Sequence, residues 1–286
     1  MKTLKLNNNV EIPVLGFGVF QIPQEETKQA VLDAIEVGYR HIDTAQSYMN
    51  ESEVGEAIQA TTVPRKELFI TTKVWISNYA TEEKAYKSVL ESMTKLRVDY
   101  LDLVLLHQDF GDIFAAYRAL YCLQNEGKIR AIGVSNFNPK RLANLVAFSD
   151  MPVQVNQIEI NPFHQREEDL QNAKERGNVQ LEAWAPFAEG RNGIFANELL
   201  MKIGEKYGKS SAQVILRWNY ERGIVSLAKS VNKERMIQNI DIFDFELSDD
   251  DKAQIATMNT QDSQFFDFES PETVDRFVEF VKARGI

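Results

Sequence analysis

LFITTKV (68–74), TEEKAYKSVLESMTKL (81–96) and LDLVLLH (101–107) follow one another with short joints between them, and their order decides the fold. The first and third are brief, near-continuous runs of β-branched and aliphatic residues, as expected of strands covered on both faces. The second repeats its apolar residues at helical spacing, with Ala85, Val89, Met93 and Leu96 on one face. Thr81, followed by Glu82 and Glu83, supplies an oxygen cap and first-turn acids, so a helix starts there. Strand, helix, strand in this pattern make a parallel unit with a helical crossover.

The same alternation runs along the whole chain. Further strand-like segments are LGFGVF (15–20), HIDTA (41–45), AIGVSN (131–136), VQVNQIE (153–159), VQLEAWA (179–185) and GIVSLAK (223–229). Helical patterns between them include TKQAVLDAIEVG (27–38), DIFAAYRALYCLQNEG (112–127) and SSAQVILRWNYERG (210–223). Eight such strands in 286 residues predict an α/β protein, a closed (β/α)8 TIM barrel, which commonly takes about 250 residues. TLKLNNNVEIPVL reads as an N-terminal β-hairpin turning at Asn7-Asn8-Asn9, placed to plug the barrel floor. SPETVDRFVEFVKARG (270–285) reads as an extra amphipathic C-terminal helix. No linker-like composition interrupts residues 1–286, so one domain is expected.

Charge narrows the partners. A net charge of -10 and a pI near 5.0 argue against nucleic acid and anionic membranes. A small-molecule partner and a monomer are expected. The one cysteine, Cys122, reads as a buried structural thiol within its helix, and no Cys/His spacing asks for a metal. MKTLKLNNNVEIP lacks the apolar core of a signal peptide and no run of about 18 apolar residues occurs, so a cytoplasmic setting is expected. Gly16-Phe17-Gly18 begins a nucleotide-binding glycine pattern, but Gln21 stands where its third glycine belongs. Tight packing at the first strand is the better reading.

Barrel enzymes draw their chemistry from the C-terminal ends of the strands. Here those ends carry Asp43 (with Tyr48 in the loop after it), Lys73, His107, Ser135-Asn136, Gln157, Trp184 and Lys229-Ser230. Each alone has a structural reading: His107 as a core imidazole, Lys73 as a snorkelling side chain, Trp184 as a core aromatic. Their coincidence on neighbouring strand ends weakens those readings together.

GYRHIDTAQSYMNESEVGEAI (38–58), TTKVW (71–75), LLH (105–107), GKIRAIGVSNF (127–137) and KSVNKERMIQN (229–239) resemble, in order, segments of the aldo-keto reductases. These are NADPH-dependent carbonyl reductases on a (β/α)8 barrel, and the likeness is strongest to the bacterial 2,5-diketo-D-gluconate and glyoxal reductase branch. The resemblance implies Tyr48 as general acid, Lys73 as the ammonium that lowers its pKa, Asp43 as the partner of Lys73, and His107 orienting the carbonyl. It further implies Ser135, Asn136 and Gln157 at the nicotinamide carboxamide and Trp184 stacked on its ring. Lys229, Ser230, Asn232 and Arg235 would meet the 2′-phosphate, and Gln238 and Asn239 the adenine. Phe20, Trp75 and Phe110 are expected to wall a partly apolar pocket. The chain departs from the pattern at Asp109, Ala185 and Leu227-Ala228, where relatives favour Pro, Ser and Ile-Pro. Asp109 reads as solvent-facing, with a place beside the pocket as the alternative. Two other functions stand beside reduction: a nucleotide-binding regulatory barrel with little turnover, and a barrel hydrolase, weakened by the lack of a recognisable second acid at a strand end.

Overall fold

In a computed structural model describing residues 1–284, the alternating segments close into a ring of parallel strands. The hairpin β1 (Thr3–Lys5) and β2 (Glu11–Pro13) is antiparallel and stands apart. The ring runs in chain order through β3 (Leu15–Gly18), β4 (His41–Asp43), β5 (Phe69–Val74), β6 (Leu101–Leu106), β7 (Ile129–Ser135), β8 (Val155–Glu159), β9 (Gln180–Trp184) and β10 (Val225–Ala228). β10 pairs with both β9 and β3, which closes the (β/α)8 barrel.

The helix Glu82–Leu96 begins at Thr81, whose Oγ1 accepts from the Lys84 amide at 3.1 Å, and it buries Ala85, Val89, Met93 and Leu96. The C-terminal helix is Pro271–Arg284; Gly285, included in the sequence expectation, lies outside the described residues. Some boundaries move. The first helix is Gln24–Val37, and the strand expected over 15–20 ends at Gly18.

Side chains along a strand alternate between two environments, and each has its own core. Outward residues such as Ile42, Ile70, Val104, Ile132, Ile158 and Leu181 pack against the helices. Inside the barrel, Phe69, Leu103, Leu105, Ala131, Val155 and Val225 join Leu6 and Ile12 of the hairpin region. The hairpin is therefore the floor of the barrel. Gly16 fits that crowding: a Cβ there would lie 2.5 Å from Leu227 Cδ2 and 2.8 Å from His41 Nδ1.

The reading of Cys122 is corrected: it is exposed, with Sγ 3.4 Å from Glu126 Oε1. The helix Ile113–Asn125 buries Ile113, Ala116, Tyr117, Leu120 and Leu123, and residue 122 falls off that stripe. Among the described residues no helix is long and apolar enough to cross a membrane.

Ile12 is fully buried in the floor, so Ile12→Ala should cost about 3 kcal/mol in denaturant unfolding. A loss below about 1 kcal/mol would show that the hairpin does not close the core.

Candidate active site

Two residues up each strand from the apolar interior, the inward positions turn polar. Phe69 and Thr71 lead to Lys73 on β5; Leu103 and Leu105 lead to His107 just past β6; Val155 leads to Gln157 on β8. Lys73 is completely buried, and its ammonium donates to Asp43 Oδ1 (2.6 Å), the Thr44 carbonyl (3.0 Å) and Tyr48 Oη (3.2 Å). An ammonium has three donors, and all three are used. Asp43 Oδ2 in turn accepts from Gln157 Nε2 at 3.0 Å.

Tyr48 ends a short 3₁₀ turn, Gln46–Tyr48, pinned from both sides. The Gln46 side-chain oxygen accepts from the Trp75 amide (2.8 Å) and Asn78 Nδ2 (3.0 Å). Asn50 accepts from Thr44 Oγ1 (2.9 Å) and donates to the Val19 carbonyl (3.0 Å). His107 Nδ1 lies 3.3 Å from Ser47 Oγ, and its ring stands edge-on to Tyr48 and Trp75 at 5.6 and 5.2 Å between centroids. Asp43 and Tyr48 from the end of β4 and its loop, Lys73 from β5 and His107 from the end of β6 thus meet at one end of the barrel.

Burial is the leading electrostatic effect. It pushes the Tyr48 hydroxyl up; Lys73 draws it down, while Asp43 and Glu182 push it back. Lys73 acts in the expected direction, but burial outweighs it and the hydroxyl sits above its ordinary value. Burial pulls the Lys73 ammonium down, yet Asp43 and Tyr48 more than offset this and hold it charged. For His107, burial and the nearby Lys73 both favour the neutral imidazole, well below the ordinary range.

The residues matching the family pattern are now joined in space. Residues 14–260 match the model of the aldo/keto reductase family. The chain belongs to that family. It is 44% identical over 263 residues to a glyoxal reductase of Bacillus subtilis, covering 90% of this chain and 92% of that one. A crystal structure of an aldo-keto reductase from a Medee basin deep-sea metagenome library superposes with a TM-score of 0.90 at 41% identity, covering 93% and 98% of the two chains. A Bombyx mori aldo-keto reductase solved in complex with NADP gives a TM-score of 0.86 at 33% identity, covering 93% and 95%.

Other expected residues of this aldo/keto reductase surround the same mouth. Trp184 donates its indole N–H to Asn136 Oδ1 (2.9 Å), and Asn136 Nδ2 donates to the His107 carbonyl (3.0 Å). Ser135 Oγ donates to the Gln157 carbonyl (2.8 Å). Phe20 is 47% exposed and packs on Tyr48, with centroids 4.9 Å apart. Trp75 and Phe110 both contact Phe277 of the C-terminal helix, at 6.0 and 5.5 Å. At the other side, the Asn232 side chain caps the helix Lys233–Ile240 by accepting from the Arg235 amide (3.0 Å). Lys229 and Arg235 are exposed and have no carboxylate partner among the described residues, whereas Lys233 is paired with Glu36 (2.7 Å). Ser230 Oγ accepts from the Asn232 amide (3.0 Å); Gln238 is exposed, and Asn239 is buried with its side chain bonded to Tyr39.

Asp109 does not face solvent. It is 5% exposed, with Oδ2 3.5 Å from Arg141 Nε and Oδ1 unpartnered, and burial pushes it up to about 6. The helix Pro139–Ser149 brings Arg141 over it. Sequence reasoning also missed two acids. Glu159, at the end of β8, accepts from Ser263 Oγ (2.6 Å) and the Gln264 amide (2.9 Å), and so fastens the C-terminal segment. Glu182 lies buried below Trp184 on β9, accepting from Gln157 Nε2 at 2.9 Å. Its signal was parity: Glu182 and Trp184 share the inward face of VQLEAWA.

Because burial and Lys73 hold His107 neutral, its ring resonances should show no titration through the ordinary histidine range around pH 6.5 by NMR. A transition near its ordinary value would show that the ring is hydrated and remote from the ammonium.

Proposed function

We propose that this chain reduces small, partly apolar aldehydes and ketones with NADPH, with Tyr48 giving the proton. One observation carries the reading: Lys73 donates to Tyr48 Oη at 3.2 Å while Asp43 holds the same ammonium at 2.6 Å. Because Lys73 fills an acceptor site on the hydroxyl, the Tyr48 proton is left to point at a substrate. As that proton departs, the ammonium–hydroxyl contact becomes an ammonium–phenolate ion pair, and the attraction strengthens. The gain arises only as charge develops, which is the condition for lowering a barrier.

His107 serves as a neutral donor. With Nδ1 accepting from the Ser47 hydroxyl, Nε2 carries the hydrogen and can hold a carbonyl oxygen in place. Phe20 and Trp75 flank these two groups, and Phe110 closes the pocket through Phe277.

The donor set fits NADPH, which supplies the hydride when bound. Lys229 and Arg235 are two exposed cations, without a carboxylate partner among the described residues, beside a capped helix N-terminus, suited to an added phosphate on the ribose. Ser230 and Asn232 order that turn, and Gln238 offers an exposed amide for the adenine. At the other end Trp184, fixed by Asn136, presents a flat ring, and Ser135 and Gln157 form the wall beside it. Asn239, bonded to Tyr39, supports the helix from beneath. The NADP complex of the Bombyx mori relative supports the same reading. Every group comes from one chain, so we read residues 1–286 as one domain acting as a monomer, in a reducing cytoplasmic setting suited to an unpaired cysteine. Nothing in the site favours a barrel that binds nucleotide without turnover.

Oxidation of NADPH by methylglyoxal or phenylglyoxal tests this. Tyr48→Phe should lower kcat by roughly 10²- to 10⁴-fold while NADPH still binds, and NADH should serve less well. Wild-type turnover in Tyr48→Phe, or none in the wild type, would overturn the reading.

A further inference from the structure

Beneath the Lys73–Asp43 pair lies a second carboxyl that the chemistry above does not use. Glu182 is fully buried, and it stands in register with Gln157 on β8 and Val225 on β10. The Gln157 side-chain NH₂ spans two carboxyl groups, donating to Asp43 Oδ2 (3.0 Å) and Glu182 Oε2 (2.9 Å). A continuous line thus runs from Tyr48 Oη through Lys73, Asp43 and Gln157 to Glu182. At its far end, Glu182 Oε1 has no hydrogen-bond partner among the described residues and lies 3.7 Å from His41 Nδ1. His41 Nε2 is 2.9 Å from Thr71 Oγ1.

We propose that Glu182 is a positioning residue for the Lys73–Asp43 pair, acting through Gln157, and that it works as a protonated, neutral acid. This rests on the proposed function of Tyr48 as proton donor. Charge counting supports the neutral form. One ammonium faces two carboxyl groups in a dry interior, and a second bare anion there has no counter-ion. Asp43 takes the 2.6 Å contact with Lys73, so the proton belongs on Glu182. Burial first, then the neighbouring Asp43, push Glu182 up to about 8; burial and Lys73 push His41 down to about 3, so His41 does not supply a balancing cation.

The charged and titratable groups facing Glu182 are Asp43 and His41 on β4, Lys73 on β5 and Tyr48 beyond it. β3 and β10 offer none, and Glu159 on β8 is taken by Ser263, Gln264 and Asn161. Ionising Glu182 therefore adds an unbalanced negative charge within reach of Tyr48, raises its pKa and makes it a weaker acid. In the reduction direction, proton donation should slow as pH rises through about 8.

Glu182→Gln keeps the shape and the acceptor for Gln157 but cannot ionise. In single-turnover oxidation of NADPH by methylglyoxal, it should stay within about threefold of wild type at pH 7 and lose the decline near pH 8. Glu182→Leu, which removes the anchor, should lower the single-turnover rate by about tenfold or more with little change in KM. A second readout needs no turnover. The infrared difference between wild type and Glu182→Gln at pH 7 should contain a protonated-carboxyl band, and in wild type alone that band should fade through about pH 8. A pH decline unchanged in Glu182→Gln, or no protonated-carboxyl band, overturns the proposal. A wild type that oxidises no NADPH overturns the proposed function instead, and the infrared band still decides the state of Glu182.

Discussion

A lysine ammonium with no exposed surface is the constraint on which the rest of this site depends. Burying a charge is costly unless it is paired and its hydrogen bonds are satisfied. Lys73 meets that condition with one carboxylate, one carbonyl and one phenol, and each comes from a different part of the segment 43–48. The demand fixes how β4 and β5 sit, how the loop after β4 turns, and where the Tyr48 hydroxyl lies. The same low-dielectric surroundings that make the ammonium expensive also make its effect on Tyr48 strong.

Below this group, the barrel interior changes from apolar to polar within two residues of strand. The hairpin seals the lower end with Leu6 and Ile12, which keeps water from the polar layer from below. At the upper end, the C-terminal helix brings Phe277 and Phe280 against Trp75, and Phe265 sits edge-on to Trp184 at 5.1 Å. The chemistry is thus held between a dry floor and an aromatic rim, and the last segment of the chain shapes the pocket as much as the strand ends do.

The barrel was legible because its strands are short and apolar on both faces while its helices carry a clear 3.6-residue stripe, as in 68–107. Asp43, Lys73 and His107 were legible as polar residues where the pattern calls for Val or Leu. Other features were not. Asp109 pairs with Arg141, contributed by a helix thirty residues away, and no local pattern reports that contact. Cys122 was misplaced because its neighbours are apolar, although the helical stripe passes on either side of it. Glu182 was hidden inside a strand that looked continuous, since its partners, Gln157 and His41, are close only once the barrel has closed. Local periodicity fixes what each element is; which polar groups share the interior follows from closure.

The buried Lys73 ammonium pulls the pKa of Tyr48 down against the effect of burial. The most direct test is the titration of Tyr48, followed by NMR of ring-labelled tyrosine and assigned with Tyr48→Phe, in wild type and in Lys73→Met. Loss of the ammonium should move the Tyr48 transition to higher pH, because burial then acts unopposed. A transition that stays in place, or moves to lower pH, would contradict the account.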